Sequence, residues 1–221
     1  MTLRRTLQGI LSRLDAAYDY SAWHWQPGTD PHYICISSIL VQHTAWANVE
    51  RALERLRDAD ALSLDAVLRL PEAELAELVR PAGTPATKTR RLRALARLAA
   101  GHGGLPRLFA LPAGELRARL LATEGIGPET ADAIALFAAG HAVFEIDAYT
   151  KRIFRRLGHG PERDGYDAWQ CWFESALPRD VEVYRRYHAL LVLHGKQTCR
   201  PRPRCAECCL LEVCAYGKGA R

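Results

Sequence analysis

The chain has 221 residues, 48% hydrophobic and 25% charged, which suits one large globular domain or two small ones. No apolar run approaches the roughly 18 residues that a membrane span needs. The N-terminus lacks the basic-then-apolar order of a signal peptide. These features exclude a membrane protein from the expected classes, and we expect a cytoplasmic one. The formal net charge of +5 is compatible with a nucleic-acid partner, but unrelated enzymes carry it too.

Apolar residues recur at three- and four-residue steps along most of the chain, and this spacing predicts helices. The predicted helices are, in chain order, 3–18, 32–41, 46–56, 87–100, 112–122, 128–139, 148–157, 166–176 and 181–195. Segments rich in glycine and proline connect them, at 26–28, 80–83, 101–106 and 158–165. No segment alternates long enough to make a sheet. The predicted fold class is all-α, with about ten helices.

A glycine-bracketed turn, Gly125-Ile126-Gly127, separates two of the predicted helices. Glycine allows backbone angles that are closed to other residues, and Pro128 suits the first position of the following helix. Backbone N–H groups at such a helix start can bind a DNA phosphate without reading the base sequence. We therefore predict that the three turn residues contact DNA. The alternative is a plain connection in which glycine serves geometry only.

An apolar stretch, residues 142–146, ends in Asp147 at the start of another predicted helix. Aspartate is common as an N-cap, and this role alone could explain the residue.

Seven cysteines are present, and five of them lie between residues 199 and 214. Such crowding in a cytosolic chain favours metal binding over disulfides. The other two, Cys35 and Cys171, stand alone in apolar stretches, and we expect both to be small buried hydrophobic residues.

The spacing C-x5-C-x2-C-x5-C is formed by Cys199, Cys205, Cys208 and Cys214. Four thiolates within one short loop can hold either a 4Fe–4S cluster or a tetrahedral zinc ion. Cys209 could replace Cys208 as a ligand, but we prefer Cys208 because it keeps the C-x2-C step.

Taken together, the hairpin, the aspartate and the cysteine loop resemble the helix-hairpin-helix DNA glycosylases, and within them the endonuclease III group. Asp147 follows Glu129 by eighteen residues, and Val41-Gln42-His43-Thr44 resembles an early segment of that family. The resemblance spans nearly the whole chain.

The resemblance implies roles for particular residues. Asp147 would be the essential carboxylate, which stabilises positive charge on the deoxyribose or orients water. Gln42, beside His43, would fill the space left by a flipped base, and Gly83-Thr84-Pro85 would occupy the place of a second wedge. The family usually has a bulkier residue where Thr84 stands. We also expect three basic residues to contact DNA: Lys88, Lys151 and Arg152.

Glu129 departs from the family pattern. Bifunctional members have a lysine nucleophile at this position, and a carboxylate cannot form the Schiff base that leads to strand cleavage. An acidic residue also suits the first turn of a helix. The segment 125–134 resembles a branch with endonuclease III-like proteins and a bacterial 3-methyladenine glycosylase. We predict a monofunctional glycosylase, for which a cationic alkylated base is a natural substrate.

Two alternatives stay open. One is a bifunctional glycosylase with AP lyase activity that uses another amine, with Lys151 nearest to Asp147 in sequence. The other is a catalytically weak protein that binds DNA lesions.

For the cysteine loop, the resemblance implies a 4Fe–4S cluster, although the first gap is one residue shorter than the family's usual six. Arg200, Arg202 and Arg204 alternate with prolines in this loop, where they could contact phosphates or form a solvated basic surface.

The resemblance also implies an architecture of two helical domains with a DNA-binding cleft between them. Residues 22–140 would form a six-helix domain with the helix-hairpin-helix motif. Residues 1–21 plus 141–221 would form the iron–sulfur cluster domain. Glu129 and Asp147 would lie on opposite walls of the cleft. The expected partner is double-stranded DNA containing a damaged base, bound by a monomer.

Overall fold

The computed structural model describes residues 2–219, and its regular secondary structure there is entirely helical, which confirms the all-α class. The α-helices are α1 (Leu3–Ala17), α2 (Pro31–Leu40), α3 (Trp46–Asp58), α4 (Leu64–Arg69), α5 (Glu72–Val79), α6 (Pro85–Gly101), α7 (Leu105–Phe109), α8 (Ala113–Leu121), α9 (Pro128–Ala133), α10 (Ala148–Leu157), α11 (Tyr166–Glu174), α12 (Val181–Gln197) and α13 (Ala215–Gly219). A π-helical turn, Ile134–Ala138, continues α9.

The nine helices predicted from apolar spacing are all present. Four further helices were not predicted: α4, α5, α7 and α13. Each has eight residues or fewer, so the repeat of apolar residues is too short to be recognised in the sequence.

The chain divides into two compact units. One joins the segment up to Gln26 to the segment from Ala142 onward, and the other is Pro27–His141. The predicted domain bounds near residues 22 and 140 stay a prediction. No helix among residues 2–219 combines the length and the apolarity that crossing a membrane requires.

Side-chain caps fix where several helices begin. Asp30 accepts a hydrogen bond from the His32 N–H at 2.8 Å before α2, and Asp180 accepts one from the Val183 N–H at 2.9 Å before α12. These bonds satisfy backbone donors that have no partner inside the helix. They set the starts of the long helices that carry functional residues.

The core of the Pro27–His141 unit is aliphatic. α6 contributes Leu92, Leu95 and Ala96, each buried, and Cys35 is fully buried as predicted. Cys171, by contrast, is exposed, so the prediction of burial is wrong for it. The buried face of α11 carries Trp169 and Phe173. Cys171 lies two residues from each of them and therefore points away from that face.

The other unit has an aromatic core. Phe144 stacks on Phe173 with ring centroids 4.3 Å apart, and Tyr184 and Tyr187 pack edge-on against Phe144. The buried Tyr187 hydroxyl donates a hydrogen bond to the Leu7 carbonyl at 3.0 Å, which ties α12 to α1. This core supports the segment that leads into Asp147.

Candidate functional site

The turn between α8 and α9 contains the predicted contacts at residues 125–127. Gly125 has φ +78°, in the left-handed region, and a Cβ there would lie 2.3–2.5 Å from side-chain atoms of Arg91. Gly127 has φ −90° and ψ 178°, which any residue adopts. The prediction of special backbone angles therefore holds for Gly125 and is wrong for Gly127. Gly127 is the N-cap of α9, and an N-cap has an extended backbone.

The groups of this hairpin that could contact a ligand are backbone N–H groups. The first helical hydrogen bond runs from the Ala131 N–H to the Gly127 carbonyl at 2.9 Å, so the N–H groups before it lack a partner within the helix. Ile126 is 5% exposed, which leaves its side chain in the core and not at the surface. Gly127 is exposed, and a Cβ added to it would have no other atom within 4 Å.

Gln42 is bonded to the hairpin. Its Nε2 donates to the Gly125 carbonyl at 3.1 Å and to Thr130 Oγ1 at 2.9 Å, and its Oε1 accepts from Arg91 Nη1 at 2.6 Å. Gln42 is therefore held by three groups from the hairpin and from α6. To enter a duplex, its amide would have to exchange these hydrogen bonds for contacts to DNA.

Two other predicted contacts lie in strained turns. His43 has φ +57° and Thr84 has φ +42°, and both residues are exposed. A left-handed backbone is unfavourable for a side chain with a branched Cβ such as that of Thr84. Such residues concentrate at functional sites, where the surrounding structure enforces the conformation.

Lys88 is not available for the direct DNA contact predicted from the sequence. It is 2% exposed, and its Nζ donates to the Leu40 carbonyl at 2.5 Å and to the Ala82 carbonyl at 2.7 Å. Burial lowers the pKa of Lys88 to about 8, with the nearby Arg91 guanidinium as a second cause. The ammonium group joins the end of α2 to the end of the 3-10 turn Arg80–Ala82 instead of facing solvent.

Glu129 lies in the first turn of α9 and is exposed. Its neighbours Thr130 and Asp132 are buried, and Asp132 Oδ1 accepts a hydrogen bond from Arg117 Nε at 2.8 Å. This pair anchors α9 to α8, and Glu129 remains on the solvent side of the helix.

Asp147 is the N-cap of α10. Its Oδ1 accepts a hydrogen bond from the Thr150 N–H at 2.7 Å, and the residue is 7% exposed. The backbone reaches it through a buried segment, Val143–Ile146, and the helix that follows ends at Gly158 with φ +84°. One carboxylate oxygen is thus fixed by the helix.

Sequence reasoning missed a buried ionisable pair beside Asp147. His188 Nε2 lies 3.4 Å from Glu145 Oε2, and both side chains are nearly fully buried. Burial lowers the pKa of His188, whereas the Asp147 carboxylate and a backbone hydrogen bond at Glu145 oppose that shift. A glutamate inside the apolar run 143–146 was the signal that could have revealed the pair.

Lys151 and Arg152 are both engaged within their own unit. Lys151 Nζ lies 3.9 Å from Asp164 Oδ1. Arg152 donates from Nε to the Cys199 carbonyl and from Nη2 to the Gly195 carbonyl, both at 3.0 Å. Arg152 therefore supports the cysteine loop, a role that the sequence did not indicate.

The four cysteines with the predicted spacing line one cavity. Its walls include Cys199, Cys205, Cys208 and Cys214 but not Cys209. All seven cysteines are free thiols. Within residues 2–219, no group of three or more His, Cys, Asp or Glu side chains is arranged to hold a metal ion.

Arg156 of α10 holds the start of this loop. It donates from Nη1 to the Arg200 carbonyl at 2.7 Å and from Nη2 to the Pro201 carbonyl at 2.9 Å, and it stacks on the Tyr216 ring. His194 also lines the cavity: its Nδ1 lies 2.7 Å from the Tyr18 hydroxyl, and its Nε2 lies 3.9 Å from Cys208 Sγ. Three arginines of the loop face solvent: Arg200, Arg202 and Arg204.

The chain belongs to the HhH-GPD superfamily of base excision DNA repair proteins, whose family pattern matches residues 36–197. Within this family of DNA glycosylases it is endonuclease III-like, as the resemblance predicted. A protein of Methanocaldococcus jannaschii with the provisional name DNA repair glycosylase is 39% identical over 198 residues, which cover 88% of this chain and 90% of that protein.

Two solved structures show the same fold. One is the Helicobacter pylori 3-methyladenine DNA glycosylase MagIII bound to 1,N6-ethenoadenine, with a TM-score of 0.75 and 26% sequence identity. The match covers 89% of this chain and 98% of the MagIII chain. A non-covalent complex of endonuclease III with DNA has a TM-score of 0.82 at 21% identity, with coverage of 100% and 99%.

Proposed function

We propose that this protein is a monofunctional DNA glycosylase that hydrolyses the N-glycosidic bond of a damaged base in double-stranded DNA. The observation that carries the proposal is an exposed carboxylate, Glu129, where the resemblance expects a lysine nucleophile. Glu129 stands in the first turn of α9, where bifunctional relatives have a lysine, and Asp147 caps α10. A carboxylate cannot form a Schiff base, so the reaction ends at base release.

Asp147 would supply a fixed negative charge. Cleavage of the glycosidic bond builds positive charge on the deoxyribose, and a preorganised anion stabilises that charge more than solvent does. The Thr150 N–H holds one carboxylate oxygen at 2.7 Å, so the carboxylate does not have to reorganise during the reaction. Alternatively, the same carboxylate would orient the attacking water.

The DNA duplex must open before the base can reach the carboxylate. Gln42 and His43 in one turn and Thr84 in another are the side chains that we assign to this step. The hairpin would bind a phosphate through its backbone, and the exposed arginines 200, 202 and 204 would add charge-dependent affinity. These contacts favour DNA in general and do not distinguish a damaged base from a normal one.

We propose a cationic, alkylated base as the substrate class. Glu129 and Asp147 are both acidic, and an electron-poor base is released more readily than a neutral one. The likeness to a structure of a 3-methyladenine DNA glycosylase supports this choice.

The experiment is a panel of duplexes with one oxidised, deaminated or alkylated base, incubated with the protein and analysed with and without hot alkali. We expect base release from an alkylated duplex, an intact strand until alkali is added, and little complex trapped by borohydride. Glu129→Lys should gain borohydride trapping, whereas Glu129→Gln, the matched control, should not. Strand cleavage by wild type without alkali would contradict a monofunctional reaction.

The same assay separates the two alternatives. In a bifunctional enzyme that uses Lys151, wild type would be trapped by borohydride and Lys151→Ala would not. The contact of Lys151 with Asp164, 3.9 Å between Nζ and Oδ1, disfavours this alternative, because the amine would have to leave that carboxylate to attack the sugar. A protein that only binds lesions would hold an abasic analogue tightly and release no base from any duplex.

We further propose that Cys199, Cys205, Cys208 and Cys214 hold a 4Fe–4S cluster. The types of donor fit the group, since four free thiols line one cavity and no carboxylate is among its lining residues, although these thiols are not arranged around a single metal ion. Such a cluster would bind the two ends of the loop together. Arg156, which bonds the loop backbone, would keep the arginines at residues 200–204 in place for phosphates.

A further inference from the structure

The buried Lys88 connects two segments that are distant in sequence. It lies in the first turn of α6, and its ammonium group bonds the Leu40 and Ala82 carbonyls. Burying an ammonium group is unfavourable unless its hydrogen bonds are satisfied. Burial accordingly lowers its pKa to about 8. A charged group buried against this penalty calls for a specific role.

Both carbonyls end a helical segment. Leu40 is the last residue of α2, and Ala82 is the last residue of a 3-10 turn, Arg80–Ala82. Carbonyl groups at the end of a helix carry partial negative charge and lack helical partners, so a cation is favourable there. Lys88 thus fixes the end of α2 to the end of the 3-10 turn.

Each segment then turns sharply through a strained residue. His43 follows Leu40 by three residues and Thr84 follows Ala82 by two, and both have a left-handed backbone. Among residues 2–219, only one other residue besides the glycines, Asp60, has a positive φ. A single buried side chain therefore supports two of the three strained turns.

We propose that Lys88 is a positioning residue that holds the Gln42–His43 turn and the Gly83–Thr84 turn at a fixed spacing, so that both enter the same DNA duplex at the lesion. The proposal rests on the proposed function, in which these turns open the duplex. Stacked base pairs repeat at about 3.4 Å, so two wedges that act on one lesion tolerate little change in their separation.

The chain offers a matched control on the same helix. Arg93 of α6 also bonds backbone carbonyls across the unit, donating from Nη1 to Leu70 at 2.9 Å and to Val67 at 3.4 Å. Those carbonyls lie at the end of α4, away from either turn in sequence. Arg93→Met removes comparable hydrogen bonds between α6 and another helix, and it changes no hydrogen bond of the two turns.

The test uses the full chain and a duplex with 2-aminopurine beside an abasic analogue, where fluorescence rises as the base unstacks. Wild type should raise the fluorescence, and Lys88→Met should lose most of that rise while it binds undamaged duplex within about twofold of wild type. Single-turnover base release should fall on the order of 10²-fold, as for other misplacements of about 1 Å. Arg93→Met should keep both activities at a temperature where each variant is folded.

Lys88→Arg covers the case in which Lys88→Met does not fold. It retains the charge and the donors but is longer, so the protein should fold with an intermediate loss of unstacking. Full unstacking by Lys88→Met, or by Lys88→Arg if that is the variant that folds, would overturn the proposal. So would an equal loss in Arg93→Met. If wild type unstacks the duplex but releases no base, the proposed function fails while the role of Lys88 is still decided.

Discussion

In the proposed reaction, Asp147 has two roles at once. As an N-cap it accepts the Thr150 N–H, and as the family carboxylate it would face the sugar with its other oxygen. Asparagine caps helices about as well as aspartate does, so Asp147→Asn removes the charge and keeps the cap. Asp147→Ala removes both the charge and the cap, and it should lower the free energy of unfolding by about 1 kcal/mol. The capping role therefore does not compete with the catalytic one, and the two can be separated by substitution.

The two hairpin glycines should respond differently to substitution by alanine. Gly125→Ala adds a Cβ at φ +78° that would lie within 2.5 Å of Arg91, so we expect a loss of about 1–3 kcal/mol in the free energy of unfolding. Gly127→Ala meets no atom within 4 Å and should change stability by less than about 0.5 kcal/mol. Denaturant titration of both variants measures the difference. Equal losses would contradict the backbone geometry of this turn.

Basic side chains of α6 bond other parts of the Pro27–His141 unit, and the sequence does not reveal their partners. Besides Lys88, Arg91 bonds Gln42 at 2.6 Å, and Arg90 pairs with Glu124 of the hairpin at 2.6 Å. Apolar spacing predicted the helix at 87–100 but gave no sign of these bonds. The bonds from α6 to Leu40, Gln42 and Glu124 span about 30 to 50 residues, and such pairs leave no local pattern.

At the cysteine loop, the metal and the third ligand can be tested together. Purified protein should contain iron and not zinc, and should absorb broadly near about 400 nm, as thiolate-bound iron–sulfur clusters do. Cys208→Ser should lose iron and colour because Cys208 lines the cavity, whereas Cys209→Ser, the adjacent control, should retain both. Metal analysis and absorbance measure this. Stoichiometric zinc, or bleaching only in Cys209→Ser, would contradict the assignment.

For the molecule as a whole, the fold and the family could be predicted from the sequence, because the hairpin, Asp147 and the cysteines are local motifs. The residues that we assign as wedges, Gln42, His43 and Thr84, also fall outside the predicted helices. Three other features could not be predicted from the sequence: the burial of Lys88, the hydrogen bonds of Arg152 to the cysteine loop, and the Glu145–His188 pair. Each depends on which elements pack together, and residues such as lysine and glutamate are rarely buried.

DNA affinity should fall steeply as salt rises. The net charge is +5. The DNA contacts that we assign to the hairpin and to Arg200, Arg202 and Arg204 are contacts to phosphates. The logarithm of the association constant should fall with the logarithm of salt concentration at a slope of about −0.9 per neutralised phosphate. Arg202→Gln should reduce this slope by about one phosphate for all duplexes alike. Fluorescence anisotropy over a range of salt concentrations gives the slope, and a flat response would rule out an electrostatic interface.

In the proposed reaction Asp147 provides the charge for base release, and single-turnover base release by Asp147→Asn beside wild type measures that contribution. Saturating protein is used on the lesion that wild type processes best, and binding to undamaged duplex is measured in parallel. We expect base release to fall on the order of 10²-fold or more, since one preorganised charge is removed, while binding and folding are unchanged. Base release at the wild-type rate by a folded Asp147→Asn protein would contradict the account.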